Sequence, residues 1–228
     1  MTDDDRSNSD ADRLGDRLRL GAPSRTDLDL LDDYRESFQL AYRKAVNMVR
    51  VATGNEPSGR PGKSTTSVID KLQRGTMRLS QMQDIAGCRI VVDNSESQRK
   101  TLRRLRRQLK PLGIVKTVDR RRKPSHGYRA VHLIVTIDRK PVEVQLRTLY
   151  QHLWAELSET AADMYGTQVK YGGDAPGRPE VRQTLDTLSE MLAELESTSP
   201  NVEGAEAMSG IAAAVALLIG AVIIGRDS

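Results

Sequence analysis

Two short runs between residues 128 and 147 alternate apolar and polar side chains, with Val131, Leu133, Val135 and Ile137 in the first and Val142, Val144 and Leu146 in the second. A period of two predicts half-buried strands over 128–137 and 141–147, joined by a turn. Residues 28–52 follow a different rhythm: Leu28, Leu31, Phe38, Ala41, Ala45, Met48 and Val49 recur at helical spacing behind Thr26, which predicts a helix capped by that threonine. Gly54, Pro57, Gly59, Pro61 and Gly62 mark 53–63 as a loop. Beyond it the pattern predicts a short helix at 64–74, a buried strand at 85–92, a helix with a basic face at 95–110 and a strand at 114–118. Helices follow at 149–164 and 180–196, separated by the glycine-rich stretch KYGGDAPGRP. This order of elements predicts an α/β (α+β) fold, a mixed sheet flanked by helices.

The 228 residues leave room for one domain with tails. Residues 1–26 are acidic and polar without an apolar core to a leader, and are expected to be a disordered tail rather than a secretory signal. The folded domain is expected over 27–197, with a linker at 198–206. Residues 207–225 (AMSGIAAAVALLIGAVIIG) carry no charge, about the length of a membrane-crossing helix. A C-terminal membrane anchor is expected there, holding a cytoplasmic domain to the inner face of the membrane. A buried or self-associating helix, and with it a homo-oligomer, is the competing reading. Cys88 is the single cysteine, which excludes an intrachain disulfide and makes a reducing compartment the default.

Charge changes the picture more by its placement than by its total of +4. Twelve lysines and arginines fall between Arg99 and Lys123, opposed only by Asp119, which implies a polyanionic partner: nucleotide phosphates, RNA or an acidic membrane surface. Few aromatic residues interleave with them, so a stacking platform for single strands is disfavoured. The segment GRPGKST superficially suggests a phosphate-binding loop, but Pro57 stands where that loop needs a glycine, and proline has no N–H to offer a phosphate. What remains is Arg60, Lys63 and Lys71. Lys63 and Lys71 are eight residues apart, so on a helix they share one face, suited to a triphosphate or simply to solvent.

In the second strand Glu143, Gln145 and Arg147 share a face, and a carboxylate, an amide and a guanidinium in line there suggest a site as much as a solvated sheet surface. Asp84, just before the 85–92 strand, and Glu143 are the carboxylates that could converge on Mg²⁺, which takes one or two of them together with substrate phosphates. Three histidines and one cysteine make no zinc site.

Five separated segments, in order, resemble the synthetase domain of the RelA/SpoT alarmone synthetases. KSTTSVIDKL (63–72) resembles the ATP-binding segment, DIAGCR (84–89) the D-I-A-G-x-R strand, and GYRAVH (127–132) the guanine loop. EVQLRT (143–148) resembles E-[IV]-Q-[IVL]-R-T, and WAE (154–156) the W-A-E helix. The resemblance implies a nucleotidyltransferase-like fold. It also implies transfer of the β,γ-pyrophosphate of ATP to the 3′-OH of GDP or GTP, with release of AMP. By the same resemblance, Asp84 and Glu143 would hold Mg²⁺, with Glu143 also helping to deprotonate the 3′-OH. Lys63, Ser67 and Lys71 would bind ATP, and Arg60 or Arg89 would lie near its adenine. Tyr128 would stack on guanine, His132 would contact the acceptor's phosphates, and Gln145 and Arg147 would line the site. The chain departs from the family in having Ala130 where serine is usual, and it has no His-Asp pair, so only the synthetase half is expected. Two alternatives stand beside this: a toxin-like relative acting on the 3′ end of tRNA, and a non-catalytic nucleotide-binding module tethered to a membrane.

Overall fold

The structure, a computed structural model, describes residues 3–198. Among the described residues seven α-helices and five strands run in the order α1 (Asp3–Arg19), α2 (Arg25–Glu36), α3 (Gln39–Thr53), β1 (Ser58–Arg60), α4 (Thr65–Arg74), β2 (Ala86–Val92) and α5 (Ser95–Leu109). They continue with β3 (Ile114–Asp119), β4 (Val131–Ile137), β5 (Lys140–Thr148), α6 (Leu149–Tyr165) and α7 (Pro179–Thr198). The strands form one mixed sheet in the order β1-β2-β5-β4-β3. Asp138 and Arg139, both in the left-handed region (φ 49° and 66°), form the tight turn between β4 and β5, the geometry that a twisted hairpin favours. Every apolar residue of the two alternating runs is buried, from Val131 and Leu133 to Val144 and Leu146.

Two compact units share the chain, which passes from one to the other within β2, α5, β3, β4 and β5. The first holds residues 3–90, 104–117 and 133–145; the second holds 91–103, 118–132 and 146–198. In the first unit β1 pairs antiparallel with β2, with Gly59 opposite Cys88. A Cβ on Gly59 would lie 2.6 Å from the Gly87 carbonyl oxygen, so only glycine lets these backbones approach so closely. In the second unit α6 and α7 pack through Tyr150, Trp154, Ala155, Leu188 and Leu192, and a smaller cluster gathers Ala161, Val169, Val181 and Leu185.

Four expectations are corrected. Within the stretch expected to be a disordered tail, residues 3–19 form α1, which buries Ala11, Leu14 and Leu18. The stripe is narrow, and packing against α2, α4 and the 3₁₀ turn at Leu79–Gln81 stabilises what the acidic composition conceals. Arg19 adds hydrogen bonds to the carbonyls of Leu72 (3.0 Å) and Met77 (2.8 Å). Ser24, rather than Thr26, caps α2, because its hydroxyl accepts from the Asp27 N–H while the Asp27 carboxylate accepts from the Ser24 N–H. The expected helix over 28–52 breaks into α2 and α3 at Ser37, whose hydroxyl donates to the Tyr34 carbonyl. Finally, the loop over 53–63 contains β1. Residues 207–225 lie outside the described residues; among the described residues no helix is long and apolar enough to cross a membrane.

Candidate active site

In the first unit, α4 starts at an N-cap, Ser64, whose hydroxyl accepts from the Ser67 N–H. The cap orients the first turn, so that Lys63 just before it and Lys71 two turns on reach the same carboxylate. Lys63 Nζ lies 2.9 Å from Asp84 Oδ2, and Lys71 Nζ 2.6 Å from Asp84 Oδ1. All three side chains are largely withdrawn from solvent, between 14% and 29% exposed. Burial alone would raise the Asp84 carboxyl, but the two ammonium groups outweigh it and hold it at about 2. The Ser67 hydroxyl lies 2.8 Å from that of Ser64 and so takes part in the cap.

Glu143 and Gln145 point from the same face of β5, between the buried Val142, Val144 and Leu146, and the Gln145 amide donates to the Glu143 carboxylate at 2.7 Å. A side chain on Gly87 would strike the Glu143 carbonyl oxygen at 2.7 Å, so that glycine is what lets β2 run against β5 at this point. Burial, and after it the Glu143 charge, pushes the Cys88 thiol up to about 12, which leaves it a neutral core side chain. Arg60 is exposed on β1 and pairs across the ladder with Gly87, while the half-buried Arg89 pairs with Ser58.

In the second unit three predicted residues meet. Arg147, buried, donates from Nη2 (3.0 Å) and Nε (3.3 Å) to the Tyr128 hydroxyl, which lies 2.9 Å from His132 Nε2. The Arg147 guanidinium also sits 5.1 Å from the centre of the Tyr128 ring, within cation–π range. The structure therefore gathers Lys63, Lys71 and Asp84 in one cluster, Glu143 with Gln145 in another, and Tyr128, His132 and Arg147 in a third. One supporting residue escaped the sequence reading. Gln98, fully buried on α5, donates to the Leu146 carbonyl (3.0 Å) and to Gln151 (2.7 Å), and so ties the end of β5 in place. The signal was present, because Gln98 takes the apolar phase of Leu102, Leu105 and Leu109.

Residues 59–170 match a family model described as the region found in RelA / SpoT proteins. This part of the chain is a RelA/SpoT region. An uncharacterised protein of Mycobacterium tuberculosis is 32% identical over 146 residues, covering 64% of this chain and 53% of its own. The chain thus spans about half the length of the first curated relatives it matches. The GTP pyrophosphokinase YjbM of Bacillus subtilis is 26% identical, covering 76% of this chain and 91% of its own. Among solved structures, small alarmone synthetase 2 of Bacillus subtilis aligns with a TM-score of 0.57 and 22% identity over 75% of this chain and 97% of its own. That likeness concerns the fold, a mixed sheet flanked by helices.

The RelA/SpoT region contains all eleven predicted site residues, from Arg60 to Arg147. Its metal-binding chemistry is sparse: among the described residues no three histidine, cysteine, aspartate or glutamate side chains gather as an ion cage. Asp84 and Glu143, in separate clusters, each carry a hard carboxylate oxygen donor, the kind that Mg²⁺ takes together with substrate phosphates.

Proposed function

We propose that the chain is a pyrophosphokinase that moves the β,γ-pyrophosphate of ATP to the 3′-OH of GDP or GTP. The observation that carries this reading is the paired grip of Lys63 and Lys71 on Asp84, within a RelA/SpoT region whose β5 carries Glu143. The name of the YjbM relative supports the same class of reaction.

The roles follow from charge and reach. Lys63, just before α4, and Lys71, on that helix, would hold the triphosphate, with Arg60 or Arg89 near the adenine. Tyr128 would stack on guanine, and His132 and Arg147, both joined to its hydroxyl, would contact the acceptor's phosphates. In the transfer, the acceptor 3′-oxygen bonds to the β-phosphorus of ATP while the bond from that phosphorus to the α,β-bridging oxygen breaks and AMP leaves. The 3′-OH proton passes to the Glu143 carboxylate, which Gln145 orients through its 2.7 Å hydrogen bond. Asp84 and Glu143 would hold Mg²⁺, which when bound neutralises phosphate charge. Most of the acceleration comes from placing the two nucleotides and neutralising developing charge.

The test is incubation of purified protein with ATP labelled in its β,γ-phosphates, Mg²⁺ and, in turn, GDP, GTP or deacylated tRNA. Label should appear on the guanine nucleotide. Label confined to tRNA would overturn the acceptor assignment, and no transfer to any of the three would leave a nucleotide-binding module. Glu143→Gln, close in size, should lower transfer by about a hundredfold or more with an unchanged circular-dichroism spectrum; a fully active variant would remove the assigned role.

A further inference from the structure

The family match ends at residue 170, yet α7, which begins at Pro179, fastens the loop that carries Tyr128. Ser125 and Tyr128 exchange two backbone hydrogen bonds (3.1 and 3.0 Å) across a turn whose central residues, His126 (φ 52°) and Gly127 (φ 85°), are both left-handed. Gly127 is enclosed: a Cβ there would lie 2.6 Å from Trp154 Cζ2 and 3.2 Å from Ser189 Cβ. The buried Ser189 hydroxyl donates to the Gly127 carbonyl at 2.7 Å. Arg129 Nη1 donates to the Ser189 carbonyl at 3.0 Å and also meets its hydroxyl oxygen. Trp154, the floor of the turn, donates its indole N–H to the Leu185 carbonyl at 3.0 Å. Both the backbone of the turn and the ring beneath it therefore depend on one stretch of α7.

We propose that Arg129 and Ser189 are positioning residues for Tyr128, which makes α7 part of the acceptor-nucleotide site. The proposal rests on the pyrophosphokinase reading. Tyr128 is pinned at its hydroxyl by Arg147 and beside His132, and the carbonyl of the preceding Gly127 is held by Ser189, which Arg129 holds in turn. A ring fixed at both ends loses little freedom when a base stacks on it, and such preorganisation is worth affinity. Releasing the backbone end leaves every group that touches the acceptor intact. It should weaken acceptor binding while ATP binding and turnover at saturating acceptor stay as they were.

Trp154 is the only tryptophan of the chain, and its ring centroid lies 6.3 Å from that of Tyr128, so its emission reports on the loop. In the full chain, GDP titration followed by tryptophan fluorescence should show half-saturation about three- to tenfold higher in Ser189→Ala and Arg129→Ala. Arg129→Lys, which keeps one cationic donor, should fall between. Steady-state kinetics should place the change in the KM for GDP, with kcat and the KM for ATP unmoved. Unchanged GDP half-saturation would overturn the proposal. So would a fall in kcat together with a lower denaturation midpoint, the pattern of general loosening. If the wild-type chain neither transfers pyrophosphate nor responds to GDP, the functional reading fails, and amide exchange decides the fastening alone. Faster exchange at Gly127 and Tyr128 in Ser189→Ala, with α6 still protected, supports it; unchanged exchange refutes it.

Discussion

Asp84 shows how much one side chain can carry in both stability and site geometry. Its carboxyl titrates at about 2 in the folded chain against an ordinary value of 3.8, because Lys63 and Lys71 favour the charged form. A depressed folded value means the unfolded chain takes up the proton first, so the stabilisation is complete above about pH 4 and lost as pH falls toward 2. Its size is roughly 2 kcal/mol. Urea denaturation should therefore show a gap between wild type and Asp84→Asn that closes as pH falls from about 5 to about 2; a gap that stays constant would mean the lysines do not set this carboxyl. Lys63 and Lys71 were legible as a pair from their spacing alone, and Asp84 from its place at the mouth of an apolar run. That the three close on one another was not legible, since sequence separation says nothing about which helix face meets which strand end. Ser67 shows the opposite case, a hydroxyl that matched a binding segment and that the fold also draws into a helix cap.

Secondary elements were legible wherever their period was clean. β4 and β5 alternate over most of their length, with Ile134 buried out of phase. β5 lies where the alternation placed it, while β4 begins at Val131, three residues later than expected; α5 repeats Leu102, Leu105 and Leu109 at helical spacing. α1 was missed because acids and polar residues dominate its composition, while its buried stripe needs only Ala11, Leu14 and Leu18. Gly15 belongs to that packing too, since a Cβ there would come within 2.9 Å of Leu79 Cβ. β1 was missed for a different reason: three exposed residues, Ser58 to Arg60, have no apolar pattern and are a strand only because β2 offers a free edge. If α1 is an integral element, Leu18→Ala should cost about 2–5 kcal/mol through the lost side chain and the cavity it leaves, read as a lower urea midpoint. An unchanged midpoint would restore the reading of residues 1–26 as a disordered tail.

The assembly of the whole molecule was the least legible level. The order β1-β2-β5-β4-β3 inserts the late β5 beside the early β2, a long-range pairing that no local period announces. It matters for function because the clusters proposed to take the two nucleotides fall in different units: Lys63, Lys71 and Asp84 in the first, Tyr128, His132 and Arg147 in the second. Each unit builds its cluster from its own helices and strands, so damage to one cluster should leave binding at the other intact. Calorimetry on the full chain tests this. Lys71→Ala, which removes the cation proposed to contact phosphate, should weaken binding of a non-hydrolysable ATP analogue by about tenfold or more and leave GDP affinity unchanged. Tyr128→Ala should do the reverse, weakening GDP through the lost stacking face and sparing the ATP analogue. Both variants should nevertheless lose transfer, since the reaction needs the two nucleotides together. If either substitution weakens both ligands alike while the circular-dichroism spectrum is unchanged, the two clusters act on one shared ligand and their assignment to separate nucleotides is wrong.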